Sequence, residues 1–312
     1  MSSQVKVATH SSVFHSDDIV ACALLVVAHH SVEVIRTRDM NEMSTCDYIV
    51  DVGRRRETCG DQVWIDHHQD VTSYSNGVKR AACGYVFDYL LEKGLLQFSE
   101  KEAAEFRTVV LYPVEAQDNG QEASELNVAL RCNLFSFVKA LNPSWTSSSN
   151  GDEEFHYTLD VAIKIIDQVI TDIKATTLRD EIVNKAIEAS GSNPSIIVLD
   201  KFARSWQTPV LAYNSSVPDE KKVKLVAWLD SRSGNWTAQP APIAAGSFAT
   251  YVSYPEAVRG ADAADIDRYF GTNSAVFVHP AGFIGAWHEK EDLLHALHQI
   301  LLETPAVTKE VI

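Results

Sequence analysis

Histidine and aspartate recur at short spacing near the start of the chain. The segment Thr9-His10-Ser11-Ser12-Val13-Phe14-His15-Ser16-Asp17-Asp18 holds two imidazoles and a pair of carboxylates, and Asp51 and an Asp66-His67-His68 triplet follow. Imidazole and carboxylate are ligands for divalent ions and carriers of protons near neutral pH. A mixed His/Asp set without thiolate suits Mn²⁺ or a similar octahedral ion, with Mg²⁺ next, over a Cys-rich structural zinc site. Asp51 could bridge two ions ~3.5–4 Å apart, as in two-metal phosphoesterases, with His67 completing the second. Singly, each residue has a plainer account: a capping or buried histidine, an N-cap at Asp17 or Asp18, a turn at Asp51. Their convergence at the ends of consecutive strands is what points to a metal centre.

Short β-branched runs alternating with helical patterns would bring these residues together, because that alternation is the signature of βαβ units and a mostly parallel sheet. The expected strands are Val5–Thr9, Val32–Arg36, Tyr48–Gly53 and Gln62–Asp66, with a helix from about Asp17 to His30. In open parallel sheets ligands bind beyond the carboxyl ends of the strands, where the loaded residues fall. Cys83 to Ala140 reads as mostly helical, and the polar stretch Thr146–Asp152 as an exposed loop. Apolar residues at Ala162, Ile165, Ile166, Val169, Ile170 and Ile173 predict a long helix over about Phe155–Ala189. Strands are expected at Ser195–Leu199, Val223–Leu229 and Ser274–Val278, and an amphipathic helix at Glu291–Leu302. The expected organisation is a metal-binding domain over 1–145, a linker loop and bridging helix over 146–191, and a smaller α/β domain over 192–312.

Composition bounds the function. The 312 residues are 46% hydrophobic and 22% charged, so the chain can bury a large core. Lys and Arg total 27 against 42 Asp and Glu, a net charge of -15, which argues against long nucleic acid resting on a broad basic surface and favours short anionic substrates held by local cations. Arg54-Arg55-Arg56 is either a solvated charge run or a local phosphate attractor. The five cysteines, Cys22, Cys46, Cys59, Cys83 and Cys132, contain no C-x-x-C pair and read as reduced thiols. The longest apolar run, Ile19 to Ala28, has ten residues, short of the ~20 of a membrane helix. With no targeting signal visible, the expectation is an intracellular, by default cytoplasmic, protein without membrane contact; a eukaryotic source would also admit nucleus or mitochondrion. Oligomeric state stays open, a dimer included.

With these blocks in view, the chain resembles the DHH phosphoesterase superfamily, and within it the Myg exonuclease family, the melanocyte-proliferating-gene proteins. The Asp66-His67-His68-Gln69 run stands where the superfamily's name-giving motif stands, and Thr9-His10 through Asp18 is similar to the family's opening Thr-His-Asn-Gly-Thr-Phe-His-Cys-Asp-Glu. Ile35–Asp39, Ile49–Gly53, Gln117-Asp118-Asn119-Gly120 and Leu141–Trp145 resemble further blocks, as do Asp230-Ser231-Arg232-Ser233-Gly234-Asn235-Trp236 and Phe277–Gly285. Ser11-Ser12 in place of Asn-Gly, Ser16 in place of Cys and Ala81-Ala82-Cys83-Gly84 in place of Ser-Ser-Ala-Gly depart from the pattern without touching a ligand position.

The resemblance implies one ion held by His10, His15 and Asp51, and a second by Asp17, Asp51, His67 and Asp118. It places His68 at the scissile phosphate or as a proton carrier, and Asp66 behind a histidine. Water activated between the ions would be the nucleophile, and no protein nucleophile is required. In the second domain, Arg232 and Gly234 are candidates for gripping a phosphate, and His279 and Gly282 for binding a far phosphate or sugar. An ordinary surface turn is the plainer account of both. Trp206, Trp228 and Trp236 could stack bases, although core packing is the commoner fate of such tryptophans. The resulting expectation is a metal-dependent phosphodiesterase, a 3′-5′ exonuclease on single-stranded RNA or short oligonucleotides, with its active site in a cleft between the domains. The alternatives are a pyrophosphatase or small-nucleotide phosphatase with the same cage, and a non-catalytic nucleotide- or RNA-binding regulator.

Overall fold

The computed structural model describes residues 4–70, 72–121 and 134–303, the side chains of 134–136 excepted; Cys132 lies outside the described residues. The chain divides into two compact units, Met1–Lys174 and Ala175–Ile312.

The first unit begins with β1 (Val5–Thr9), α1 (Ser16–His29), β2 (Val32–Arg36), α2 (Met40–Met43), β3 (Tyr48–Val50), β4 (Arg56–Cys59) and β5 (Gln62–Ile65). The sheet order is β2-β1-β3-β5-β4, with β2, β1, β3 and β5 parallel and β4 antiparallel at the edge. Crossovers between parallel strands need a helix or a long loop, and α1 is the first of them. It is apolar on every side, and Ile19 through Leu25 are fully buried, which identifies the ten-residue apolar run as a core helix. Among the described residues no helix is long and apolar enough to cross a membrane.

The helices α3 (Ala82–Glu92), α4 (Glu100–Phe106), α5 (Tyr112–Asp118) and α6 (Leu134–Leu141) follow. Between α4 and α5 the chain passes through a π turn over Arg107–Leu111. Pro113, with no N–H to offer four residues back, interrupts the α-helical ladder there. The long helix α7 (Asp152–Ala189) sends Phe155, Leu159, Ala162, Ile166, Ile170 and Ile173 into the core that also takes α1 and α3.

In the second unit, β6 (Ile196–Leu199), α8 (Gln207–Ser215), β7 (Leu225–Leu229), β8 (Trp236–Pro240), α9 (Ala263–Phe270), β9 (Ala275–Val278), β10 (Gly285–Trp287) and α10 (Lys290–Glu303) make a mixed α/β layer. The sheet order is β6-β7-β8-β10-β9, with β6 and β7 parallel and the remaining pairs antiparallel.

Several expectations need correction. The third strand stops at Val50 rather than Gly53, because Asp51 takes a left-handed φ of 52° and Gly53 one of 93°. Edge strand β4 has four exposed residues and no apolar alternation, so no pattern announces it. Strands β8 and β10 and helices α8 and α9 are likewise too short or too polar to be expected. Trp206 and Trp228, by contrast, follow the commoner fate expected of such tryptophans: they are 1% and 5% exposed core residues and cannot stack bases; Trp236 is partly buried against the second core, with the Lys290 ammonium 5.1 Å from its ring centroid.

Candidate metal centre

The carboxyl ends of β1, β3 and β5 carry His10, Asp51 and Asp66-His67-His68, and neighbouring registers bring them side by side. The His10–His15 loop is fastened from outside. Asn142 accepts the Phe14 N–H at 3.0 Å and donates to the Phe14 carbonyl at 2.9 Å, while the Arg36 guanidinium donates to the Ser12 carbonyl and to Asp152 Oδ1, 2.8 Å away. His15 is the N-cap of α1, and its N–H donates to Asp18 Oδ1 at 2.8 Å, so the second acid of the Asp17-Asp18 pair closes the first turn and leaves Asp17 to the site. Asp17 in turn accepts the N–H groups of Ala82 at 2.9 Å and Cys83 at 2.8 Å, at the start of α3, which orients a carboxylate that has no exposed surface.

Three groups of ligand atoms each lie within 4.8 Å of one another: His10, His15 and Asp51; Asp51, His67 and His68; and Asp17, His67 and Asp118. The structure therefore gathers all six residues expected to hold ions, with Asp51 common to two groups and Asp118 supplied by the end of α5. His10 Nε2 stands 3.4 Å from Asp51 Oδ2 and 3.5 Å from Asp18 Oδ2; His67 Nε2 stands 3.3 Å from Asp51 Oδ1 and 3.4 Å from Asp118 Oδ2. Close as these are, Asp51 Oδ1, Asp18 Oδ2 and His67 Nε2 are buried with no hydrogen-bond partner. Buried polar atoms left this way carry a full desolvation cost, which a cation held by Asp51 and His67 would offset at those two residues. The donor set, imidazole nitrogen and carboxylate oxygen without sulfur, fits a hard or borderline divalent ion.

The field of the site agrees. Burial, together with the charges of Asp51 and Asp118, lifts the Asp17 carboxyl well above the usual carboxylate range, and burial beside Asp51 raises Asp118. Burial opposes the His67 imidazolium, yet Asp51, Asp17 and Asp118 outweigh it and push the ring up to about 9. Burial likewise opposes the Asp51 charge, but His10 and His67 hold that carboxyl below its ordinary value. Without a cation the cluster lowers its own repulsion by retaining protons, so an arriving metal must displace them.

His68 differs from the caged ligands. Its side chain is half exposed, and its Nδ1 lies 2.7 Å from Asp66 Oδ1. Asp66 also accepts the His68 N–H at 3.0 Å and the Arg54 N–H at 2.7 Å; against burial, these bonds pull its carboxyl down to about 2, and it in turn raises His68. Asp66 is thus placed to fix the His68 tautomer.

In the second unit Arg232 and Gly234 occupy the turn before β8, and His279 and Gly282 the turn before β10. Trp287 pairs with Trp236 and Gly285 with Ala238, so the two turns lie at opposite ends of the β8–β10 ladder. Three residues that support the cage receive no role from the sequence: Arg36 and Gly84, which lie within segments compared with the family's blocks, and Glu115. Glu115 is fully buried, accepts the Ala81 N–H at 2.9 Å and sits one helical turn before Asp118; a Cβ on Gly84 would fall 2.0 Å from its Oε1. Only the polar Glu115 inside an apolar stretch of α5 hints at this.

A family model, MYG1_exonuc, described as "Uncharacterised protein family (UPF0160)", matches residues 6–301. The "MYG1 exonuclease" of Mus musculus is 26% identical over 330 residues, covering 96% of this chain and 86% of the mouse protein. The "MYG1 protein" of Chlamydia muridarum (strain MoPn / Nigg) is 26% identical over 306 residues, covering 96% of this chain and 98% of the bacterial one. Among solved structures, RecJ in complex with Mn²⁺ from Thermus thermophilus shows 11% identity and a TM-score of 0.28 over 96% of this chain and 52% of that chain, a likeness too slight to transfer any residue or property.

Proposed function

The chain belongs to the MYG1 exonuclease family, and from that premise we propose that it is a metal-dependent phosphodiesterase, an exonuclease that removes mononucleotides from the 3′ end of single-stranded RNA or short oligonucleotides. The observation that carries the reading is the cage itself: His10, His15 and Asp51 on one side, Asp17, His67 and Asp118 on the other, with buried donor atoms that find no partner in the protein. Those residues would hold two divalent ions, Mn²⁺ first and Mg²⁺ next. Bound there, the ions supply a water of lowered pKa and neutralise charge on the phosphoryl oxygens.

The chain's own residues do the rest. Asp17 is held by two backbone N–H groups and Asp51 by its strained left-handed turn, so neither carboxylate needs to reorganise when substrate arrives. Asp66 turns His68 Nδ1 inward, leaving the other ring nitrogen to a phosphate oxygen or to the leaving alkoxide, which takes its proton as the ester bond breaks. Arg54, Arg55 and Arg56 supply local positive charge to an acidic protein, Arg55 lying 5.0 Å from the Trp64 ring centroid and Arg56 4.1 Å from that of Tyr85. We assign Arg232, Gly234, His279 and Gly282 to substrate contacts of the second unit.

The test is a short RNA labelled at its 3′ end or its 5′ end, incubated in Mn²⁺ with and without chelator, beside inorganic pyrophosphate. Immediate release of label as a mononucleotide from the 3′-labelled strand alone, abolished by chelator, is the expected result. Turnover of pyrophosphate with intact RNA would replace it with the small-phosphate reading, and retention of RNA without product with the regulatory one.

A further inference from the structure

The second unit contains a cavity of about 560 Å³, a size suited to a small ligand. Its described lining has no charged residue, in a protein with 27 basic and 42 acidic side chains. Two glutamines line it, Gln207 at the first position of α8 and Gln239 on β8; both are half-buried and, among the described residues, neither side chain has a hydrogen-bond partner. Two aromatic rings complete it. Phe283 is 45% exposed, and Phe248 is fully exposed on a loop tied at its neck by Ile243 N–H to Ala249 O and Tyr251 N–H to Ala241 O, each 3.0 Å. A phenylalanine held in water on a hydrogen-bonded loop presents a stacking face with nothing on it.

Uncharged walls select against the phosphate and for a neutral part of a nucleotide. A free carboxamide offers a donor beside an acceptor, the pattern complementary to N6 and N7 of adenine and equally to N4 and N3 of an unpaired cytosine, and an aromatic face stacks on any base. Ala281 and Phe283 line the cavity on either side of Gly282, in the turn that also carries His279. We propose that this cavity is a nucleobase subsite, stacking a base on Phe248 or Phe283 and hydrogen-bonding its exocyclic amine and the adjacent ring nitrogen through Gln207 or Gln239. The assignment rests on the phosphodiesterase reading for its occupant being part of a nucleic acid, and it adds a base preference to that reading.

Binding is measured on the full chain without divalent ions, so that the metal cage contributes nothing. Adenosine, purine riboside, which lacks the exocyclic amine, and ribose are titrated by saturation-transfer NMR against wild type, Phe248→Ala, Gln207→Leu and Gln239→Leu. Wild type is expected to bind adenosine more tightly than purine riboside and to ignore ribose. Phe248→Ala, a surface change, weakens both nucleosides alike by about tenfold. One of the two glutamine variants weakens adenosine by about tenfold and leaves purine riboside within about twofold. Adenosine bound no better than ribose, or nucleoside affinities unmoved in all three variants, overturns the proposal. Hydrolysis of bis(p-nitrophenyl) phosphate in Mn²⁺, an ester with no base, separates the two readings. Turnover of that ester with no adenosine binding removes the subsite alone, whereas adenosine binding without turnover of the ester or of RNA supports the subsite and removes the phosphodiesterase.

Discussion

Asp51 is the residue whose loss the geometry describes most fully. It belongs to the group with His10 and His15 and to the group with His67 and His68, whereas Asp17, His67 and Asp118 form a group without it. Asp51→Asn keeps the shape and removes the charge. A carboxylate about 4 Å from one unit of positive charge contributes about 4 kcal/mol at an effective dielectric of ~20, about three decades of affinity, and a divalent ion loses more. The His10–His15 pair is then too weak to retain its ion. The other group keeps three donors, and without Asp51 nearby Asp17 and Asp118 ionise more readily, since that charge helps hold their protons. The expected outcome is a fall from two Mn²⁺ per chain to one after gel filtration, read by elemental analysis. Phosphodiester hydrolysis should drop by at least about 10³, because a single ion cannot both activate water and clamp the phosphoryl group. Asp118→Asn is the complementary case, keeping the His10–His15–Asp51 group. Two equivalents of Mn²⁺ in Asp51→Asn, or more than about a tenth of the wild-type rate, would refute the shared-ligand argument.

Gly84→Ala places a Cβ 2.0 Å from Glu115 Oε1 and 2.5 Å from the Tyr74 hydroxyl, and a fully buried carboxyl has nowhere to go. A loss of about 3 kcal/mol in urea unfolding is expected, and an unchanged midpoint would count against it. Burial, despite the Ala81 N–H, Arg80 and Tyr74, pushes Glu115 up to about 8, so its contribution to stability is full below the unfolded pKa of ~4.3 and is lost as pH rises toward 8. Glu115→Gln, neutral at every pH, should match wild type near pH 4 and exceed it by about 3 kcal/mol near pH 7; parallel stability–pH curves for the two would defeat the linkage. Arg36→Lys loses a guanidinium that reaches Ser12 O and Asp152 together while lying 4.8 Å from the Phe155 ring centroid, a set of contacts that a point-charge ammonium cannot reproduce. With the His10–His15 loop less firmly held, calorimetry should find Mn²⁺ affinity reduced about 10–100-fold with helix content intact.

Much of the first unit is legible from local pattern. The limits of β1 and β2 follow from β-branched runs, α1 from its apolar run behind an Asp-Asp start, and the parallel order from strand–helix alternation. The Asp66-His67-His68 triplet is contiguous, so its chemistry needs no fold to be noticed. The second unit is less legible. Strands β8 and β10 are five and three residues long, and β10 is recognisable only from its pairing with β8 and β9.

Residue type and spacing by themselves determined that His10, His15, Asp17, Asp51 and His67 could ligate and that a sheet would present them; Asp118 came only from the family resemblance. The tertiary structure decided the rest, because those facts are distances between residues far apart in the chain. Asp118 faces His67 only through the placing of α5; Asp17 is oriented by amides 65 and 66 positions away; Glu115 fits only because Gly84 has no side chain. Asp51 points into the cage because of a left-handed backbone that an aspartate rarely adopts unless its surroundings enforce it. Local periodicity records which face of an element is buried, whereas a cage depends on side-chain separations of a few ångströms that appear only when registers, loop anchors and helix starts have been set against one another.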